Sequence, residues 1–278
     1  VTARIGAAPK ILLTNDDGYD AGGLALLAEA LTRSGCQVTV LAPDRNHSGR
    51  SHSVHTSAVP LRLTRRAIPL PETSWSCSGS PVDCVRAAIL ADLLPDFDLV
   101  VSGINHGANA GDDIHYSGTV GAAAEAALLG VPAIAVSQHG SEPDIPFLAS
   151  APDSFPHIGY VVTLVHWVLR NELPTGGLLN LNLPHSDDSS RVVLCSVGRR
   201  DWTGARVETR ALTPGRYHAD MWAVEPEALA QRGSDFAELL CGHATITALS
   251  VLGGLHDALD LHQKHYSSLP LDLHLEYS

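Results

Sequence analysis

No run of apolar residues in this chain approaches the length of a membrane span, and Val1 to Pro9 lack the apolar core of a signal peptide. A membrane protein is not expected, and residues 1–9 read as a frayed start. Basic charge is also short. A net charge of −12 makes a poor grip for a nucleic-acid polymer, which is held through Lys and Arg. The five cysteines, Cys36, Cys77, Cys84, Cys195 and Cys241, are scattered and form no C-x-x-C pair, as in a cytosolic protein with reduced, mostly buried thiols. A G-x-G-x-x-G after the first strand is missing, which argues against a dinucleotide cofactor. Without a G-x-S-x-G elbow, Ser-His-Asp hydrolysis is set aside. Fifteen histidines include no H-E-x-x-H and no Cys/His zinc spacing, so most, including the crowd at His256, His262, His265 and His274, read as surface residues. Internal repeats and low-complexity tracts are absent as well.

What is present is a globular composition, 45% hydrophobic and 17% charged over 278 residues, enough for a large core. The pattern is that of an α/β fold, a Rossmann-like and mostly parallel sheet flanked by helices. Lys10 to Thr14 is a short buried strand, the leucines at 24, 27 and 31 have helical spacing up to Ser34-Gly35, and Gln37 to Ala42 is a second strand. Leu61 to Thr64 and Trp75 to Ser78 suggest a small antiparallel excursion. Further helices are expected over 82–93, 118–129 and 155–171, and further strands over 99–102, 133–137 and 178–182. Beyond Asp187 short alternating segments (192–197, 206–212, 244–252) indicate a smaller β-rich portion. The expected division is a Rossmann-like domain over 1–185 and a β-rich C-terminal portion over 186–278, ending in a short helix and an extended tail.

Function is expected where the first strand stops. Asn15-Asp16-Asp17-Gly18 places two carboxylates side by side at the carboxyl end of a strand, the ligand edge of a parallel sheet. Strand alternation would point Asp16 and Asp17 to opposite faces, so a shared site requires a turn, and Gly18 permits one. Adjacent carboxylates repel, and a hard cation such as Mg²⁺, Mn²⁺ or Ca²⁺ relieves the repulsion. Taken alone, these residues serve equally well as a turn and helix cap. Two other polar loops, 43–48 and 103–109, begin at the ends of neighbouring strands. They offer Asn46, Ser48, Asn105 and Asn109 as neutral oxygen donors. Ser117-Gly118-Thr119 opens a helix, where free N–H groups favour an anion such as phosphate, although plain capping is the commoner use of such residues.

These blocks resemble the SurE family of survival proteins, which act as metal-dependent 5′/3′-nucleotidases. The likeness lies in Leu13-Thr14-Asn15-Asp16-Asp17-Gly18, in Ala42-Pro43-Asp44-Arg45 leading to Ser48, and in Ser78-Gly79-Ser80-Pro81-Val82-Asp83-Cys84-Val85. It continues in Val101-Ser102-Gly103-Ile104-Asn105, Gly111-Asp112-Asp113 and Tyr116-Ser117-Gly118-Thr119-Val120. The resemblance implies one divalent cation, Mg²⁺ or Mn²⁺, on Asp16, Asp17, Ser48 and Asn105, with Asp16 and Asp17 catalytic. Phosphate is expected on Asn109, Ser117, Gly118 and Thr119. A nucleoside monophosphate substrate, a cytoplasmic location and a homodimer or homotetramer formed through the C-terminal portion are implied with it. A nucleoside ribohydrolase, which would release free base, and a non-catalytic nucleotide-binding protein are the alternatives. One departure stands out: the family usually carries glycine before the histidine of the post-serine loop, and this chain carries Ser51 before His52.

Overall fold

The computed structural model describes residues 7–66, 73–140, 155–185, 191–224, 226–229, 231–258 and 265–271. Expectations for residues 1–6, and for His262 and His274, fall outside these segments.

The first half alternates strand and helix. β1 (Lys10–Thr14), α1 (Gly22–Arg33) and β2 (Gln37–Pro43) form a parallel βαβ unit, with Leu13 opposite Val40. α1 closes at Ser34 and Gly35, the latter at φ +91°. β3 (Leu63–Arg65) and β4 (Thr73–Cys77) pair antiparallel, as the alternation predicts. β4 also pairs parallel with β2, so the excursion widens the main sheet instead of leaving it. α2 (Pro81–Leu90) starts in a capping box between Ser80 and Asp83 and stops three residues short of the expected end. Leu90 and Leu93 are exposed, so a longer helix would have had no apolar face to bury.

β5 (Leu99–His106) runs four residues further than its apolar run indicates, through an irregularity between Ser102 and Asn105, and so carries Asn105 to its tip. A 3₁₀ turn over Gly111–His115 leads into α3 (Gly118–Leu128), whose small residues are buried from Gly118 to Ala127. β6 (Ala133–Gln138), α4 (Ile158–Arg170) and β7 (Gly177–Leu183) complete the parallel core.

Later strands divide. β8 (Val192–Cys195), β13 (Ala244–Ser250) and β14 (His256–Asp257) join the main sheet, β13 antiparallel to β7. β9 (Arg200–Asp201) pairs with β12 (Glu227–Ala228), and β10 (Arg206–Thr213) forms a separate ribbon with β11 (Arg216–Val224). A one-and-a-half-turn helix, α5 (Asp235–Leu240), precedes β13.

The main sheet runs β14-β13-β7-β6-β5-β1-β2-β4-β3, with β8 on β13. One apolar cluster fills the face under α1 and α4 and another the face under α2 and α3. β1 lies between β2 and β5, where the strand order reverses, and the crevice of an open α/β sheet forms at that point. The three polar loops read from the sequence therefore leave neighbouring strands at one edge. Among the described residues no helix is long and apolar enough to cross a membrane.

Candidate active site

Past Thr14 the chain folds back on itself. Asn15 clamps the turn, its Nδ2 donating to the Gly18 carbonyl oxygen at 2.9 Å while its Oδ1 accepts the Gly18 N–H at 3.2 Å. Gly18 has φ +109°, and a Cβ there would lie 3.0 Å from the Arg45 carbonyl carbon, so both backbone and space favour glycine.

Both aspartates are buried, Asp16 3% exposed and the Asp17 side chain 6%. Asp16 meets the start of α3. The Thr119 hydroxyl donates to its Oδ1, and the backbone N–H groups of Gly118 and Thr119 also serve the carboxylate. A Cβ on Gly118 would come within 2.8 Å of the Asp16 Cβ, so the close seating of the helix depends on that glycine. Asp17 turns toward β5, its Oδ2 accepting the His106 N–H at 3.2 Å and its Oδ1 lying 3.7 Å from His106 Nδ1.

Burial raises the proton affinity of Asp16 against the opposing pull of its donors. Asp17 is pushed up to about 8, by burial first and by the charge of Asp16 second. Burial lowers the His106 pKa, so that ring supplies no compensating positive charge at neutral pH. Two carboxylates crowded in this way need a proton or a cation between them.

The neighbouring loops bring neutral oxygens. The His47 N–H donates to the Asp16 carbonyl oxygen at 2.7 Å, which ties the 44–48 turn to the aspartate turn, and Asn46 Oδ1 takes the N–H of the half-buried Ser48 at 2.7 Å. Asn105, at the end of β5, gives its Nδ2 to the Gly107 carbonyl oxygen at 2.8 Å, turning its amide oxygen the other way. Among the described residues no three His, Cys, Asp or Glu side chains gather in a metal-holding group, so a cation here would rest on two carboxylates completed by neutral oxygens. That donor set is hard and suits a divalent cation such as Mg²⁺, Mn²⁺ or Ca²⁺. A cleft of about 280 Å³ opens next to Asp17, with Tyr19, Asp44, Arg45 and His106 in its wall.

The phosphate residues read from the sequence have other partners as well. Ser117 caps α3, its Oγ accepting the Val120 N–H at 3.1 Å, and the Thr119 hydroxyl faces Asp16. Asn109 is built into a buried polar network. Its N–H donates to Asn182 Oδ1 at 2.7 Å, its Nδ2 to Ser137 Oγ at 2.8 Å, and its carbonyl oxygen accepts from Asn180 and Asn182.

The family model for the survival protein SurE matches residues 11–204, which contain every one of these elements. The chain belongs to the SurE family. It is 38% identical to the 5′-nucleotidase SurE of Aeromonas hydrophila subsp. hydrophila over 91% of this chain and 99% of that protein. It is 40% identical to the 5′-nucleotidase SurE of Geotalea uraniireducens, over 86% of this chain and 92% of that protein. The crystal structure of the SurE protein from Aquifex aeolicus superposes with a TM-score of 0.70 at 33% identity, covering 87% of this chain and 94% of that one.

In this SurE protein, charged clusters that the linear sequence did not disclose hold the site loops. Glu125, buried on α3, accepts from Arg86 Nη1 at 2.7 Å and lies 2.7 Å from His52 Nε2, pinning the loop after Ser48 to the helix. Arg200 grips Asp113 with Nε and Nη2 and gives its N–H to Asp112 at 2.7 Å. Asp235 accepts the N–H groups of Gly111, Gly198 and Phe236, each at 2.8 Å. These contacts tie the turn before α3 to the C-terminal strands. Apart from the Phe236 N–H on Asp235, its neighbour in the chain, each joins residues at least 37 positions apart, and no local spacing announces them.

Proposed function

We propose that this SurE protein is a phosphomonoesterase that hydrolyses nucleoside 5′-monophosphates, and 3′-monophosphates, to nucleoside and inorganic phosphate. The observation that carries the reading is the crowding of Asp16 and Asp17, two buried carboxylates with raised proton affinity, at a sheet edge where neutral oxygens of two other loops are at hand. Asp16, Asp17, Ser48 and Asn105 would hold one divalent cation, Mg²⁺ or Mn²⁺. Bound there, the ion supplies positive charge that polarises a phosphoryl oxygen and offsets the charge developing in the transition state.

The remaining work falls to the chain's own groups. The α3 start packs against Asp16, so the positive end of the helix dipole lies beside the same place and favours an anion. Ser117, Gly118 and Thr119 are assigned to the phosphate on that ground, together with Asn109, whose amide nitrogen keeps a second N–H beyond the one given to Ser137. Thr119 and His106 fix the rotamers of the two carboxylates from opposite sides.

A homodimer or homotetramer is proposed as the working assembly, built through the 186–278 portion in a cytoplasmic protein. The β10–β11 ribbon supports this. A two-stranded ribbon is marginal by itself, and this one exposes Val207, Leu212, Tyr217, Met221 and Val224.

The test is release of inorganic phosphate from AMP, GMP and phenyl phosphate, with and without EDTA. Chelation should lower the rate by at least about 100-fold, recovered on adding Mn²⁺ or Mg²⁺. Undiminished activity in EDTA, or free base with no inorganic phosphate, overturns the reading.

A further inference from the structure

The loop that carries Ser48 is fastened at two places. Ahead of Ser48, the His47 N–H donates to the Asp16 carbonyl oxygen at 2.7 Å. Behind it, the Ser51 N–H donates to the Tyr116 carbonyl oxygen at 2.9 Å, and the backbone then lies directly on α3. A Cβ on Gly121 would fall 2.9 Å from the Ser51 carbonyl oxygen and 3.1 Å from the His52 Cα. Between these places the Ser48 N–H meets Asn46 Oδ1, and the Arg50 N–H meets the His47 carbonyl oxygen at 3.2 Å, both within the loop itself. Where Ser48 stands therefore depends on how firmly the two ends are held.

A side chain completes the hold at the far end. Glu125, with a side chain only 5% exposed, accepts from Arg86 Nη1 with one oxygen and lies 2.7 Å from His52 Nε2 with the other. An ionised carboxylate only accepts, so both bonds run from the basic side chains to Glu125. Glu125 is alone in α3 in carrying a charge, among residues that are otherwise small or apolar. An alanine there would suit the helix better and avoid burying a charge. Such a breach of local preference points to a use elsewhere, and what the carboxylate adds is a fixed point for His52. About two turns earlier the same helix meets Asp16, where a Cβ on Gly118 would lie 2.8 Å from the Asp16 Cβ.

We propose that Glu125 is a positioning residue for the reaction: through His52 it holds the Ser48 loop against α3, and so keeps the cation's ligands in register with the helix start assigned to the phosphate. This rests on the phosphomonoesterase reading above and adds how its site is kept in shape. Groups that orient a metal ligand from behind commonly change metal affinity or activity by 10–100-fold when removed.

The experiment measures Mn²⁺ binding by calorimetry, kcat and KM for AMP at saturating Mn²⁺, and urea unfolding without metal. It compares the full chain with Glu125→Ala, His52→Ala, the two combined, and His52→Gln. Glu125→Ala leaves Arg86 and His52 partly exposed, so no buried charge is stranded. Each single variant should weaken Mn²⁺ binding and lower kcat by about tenfold or more, with KM for AMP within about threefold. Because His52 acts through Glu125, the double variant should be within about threefold of the worse single one. His52→Gln keeps an N–H for the carboxylate and should return kcat to within about threefold of the unaltered protein. Should Glu125→Ala not fold, His52→Ala, altered at a side chain 34% exposed, decides together with its Gln rescue. A lowered urea midpoint with unchanged Mn²⁺ affinity and kcat overturns the positioning role, and so do losses that multiply in the double variant. No phosphate from AMP in the unaltered protein would instead overturn the phosphomonoesterase reading, and the Mn²⁺ affinities would still judge Glu125.

Discussion

The hydroxyl of Thr119, the second residue of α3, hydrogen-bonds the carboxylate of Asp16 across a separation of 103 residues, and both groups are sealed from solvent. The bond joins the strand end that carries the aspartates to the helix start assigned to the phosphate. In Thr119→Val the shape is kept and the donor is lost, leaving one oxygen of a buried carboxylate without its side-chain partner. Such a loss costs about 1.5–3 kcal/mol. Urea unfolding without added metal should show a destabilisation of that size, and phosphate release from AMP should fall at least tenfold. Unchanged stability would show that the bond contributes nothing in solution.

Asp17→Asn should separate function from folding. The substitution removes a charge that burial and Asp16 both disfavour, so the cation-free protein should be at least as stable as the unaltered one. Turnover should nevertheless drop by about 100-fold or more, with weaker Mn²⁺ binding in calorimetry, because an anionic ligand has gone. Near-normal turnover would reduce the aspartate to a turn-forming role.

Ser51 has φ +54°, alone among the described non-glycine residues in having a positive φ. Its hydroxyl donates to the His115 carbonyl oxygen at 2.5 Å and its N–H to the Tyr116 carbonyl oxygen at 2.9 Å. The backbone strain and the hydroxyl's bond are each worth about 1 kcal/mol and oppose one another. Ser51→Gly should therefore stay within about 1 kcal/mol of the unaltered protein. Ser51→Val, β-branched and without the hydroxyl, should lose about 2 kcal/mol or more and reduce turnover, since Ser48 sits on the same loop. Equal urea midpoints for the two variants would contradict this.

Local chemistry made much of this molecule legible in advance. β1, α1 and β2 announce themselves through an apolar run, helical spacing and Gly35, and the sheet then brings Asp16, Ser48 and Asn105 to one edge. Reading failed where tertiary contact overrides local pattern. The apolar run at 99–102 gave no sign that β5 continues to His106, because pairing with β6 resumes only beyond Gly103. Asn109 looks like a loop residue free to face a ligand, yet Asn180 and Asn182, more than 70 positions away, hold its backbone. Glu125 lies in an alanine-rich helix and suggests nothing until folding brings Arg86 and His52 to it.

Asp235 gives the fold a pH signature of its own. Its carboxylate, fully buried, accepts three backbone N–H groups and so links the turn at Gly111 to Gly198 and α5. Burial pushes its pKa up from 3.8 to about 6, the N–H donors opposing the rise. The folded state therefore holds this proton over a range where the unfolded state has released it. Stability from this group is fully present below about pH 4 and declines as pH rises toward 6, by up to about 3 kcal/mol. Asp235→Asn cannot titrate. The unfolding free energy of the unaltered protein minus that of the variant should thus fall by up to about 3 kcal/mol between pH 4 and pH 7, as followed by urea denaturation at each pH. A difference that stays constant, or widens with pH, would mean that Asp235 is ionised in the folded state throughout, held so by its three donors.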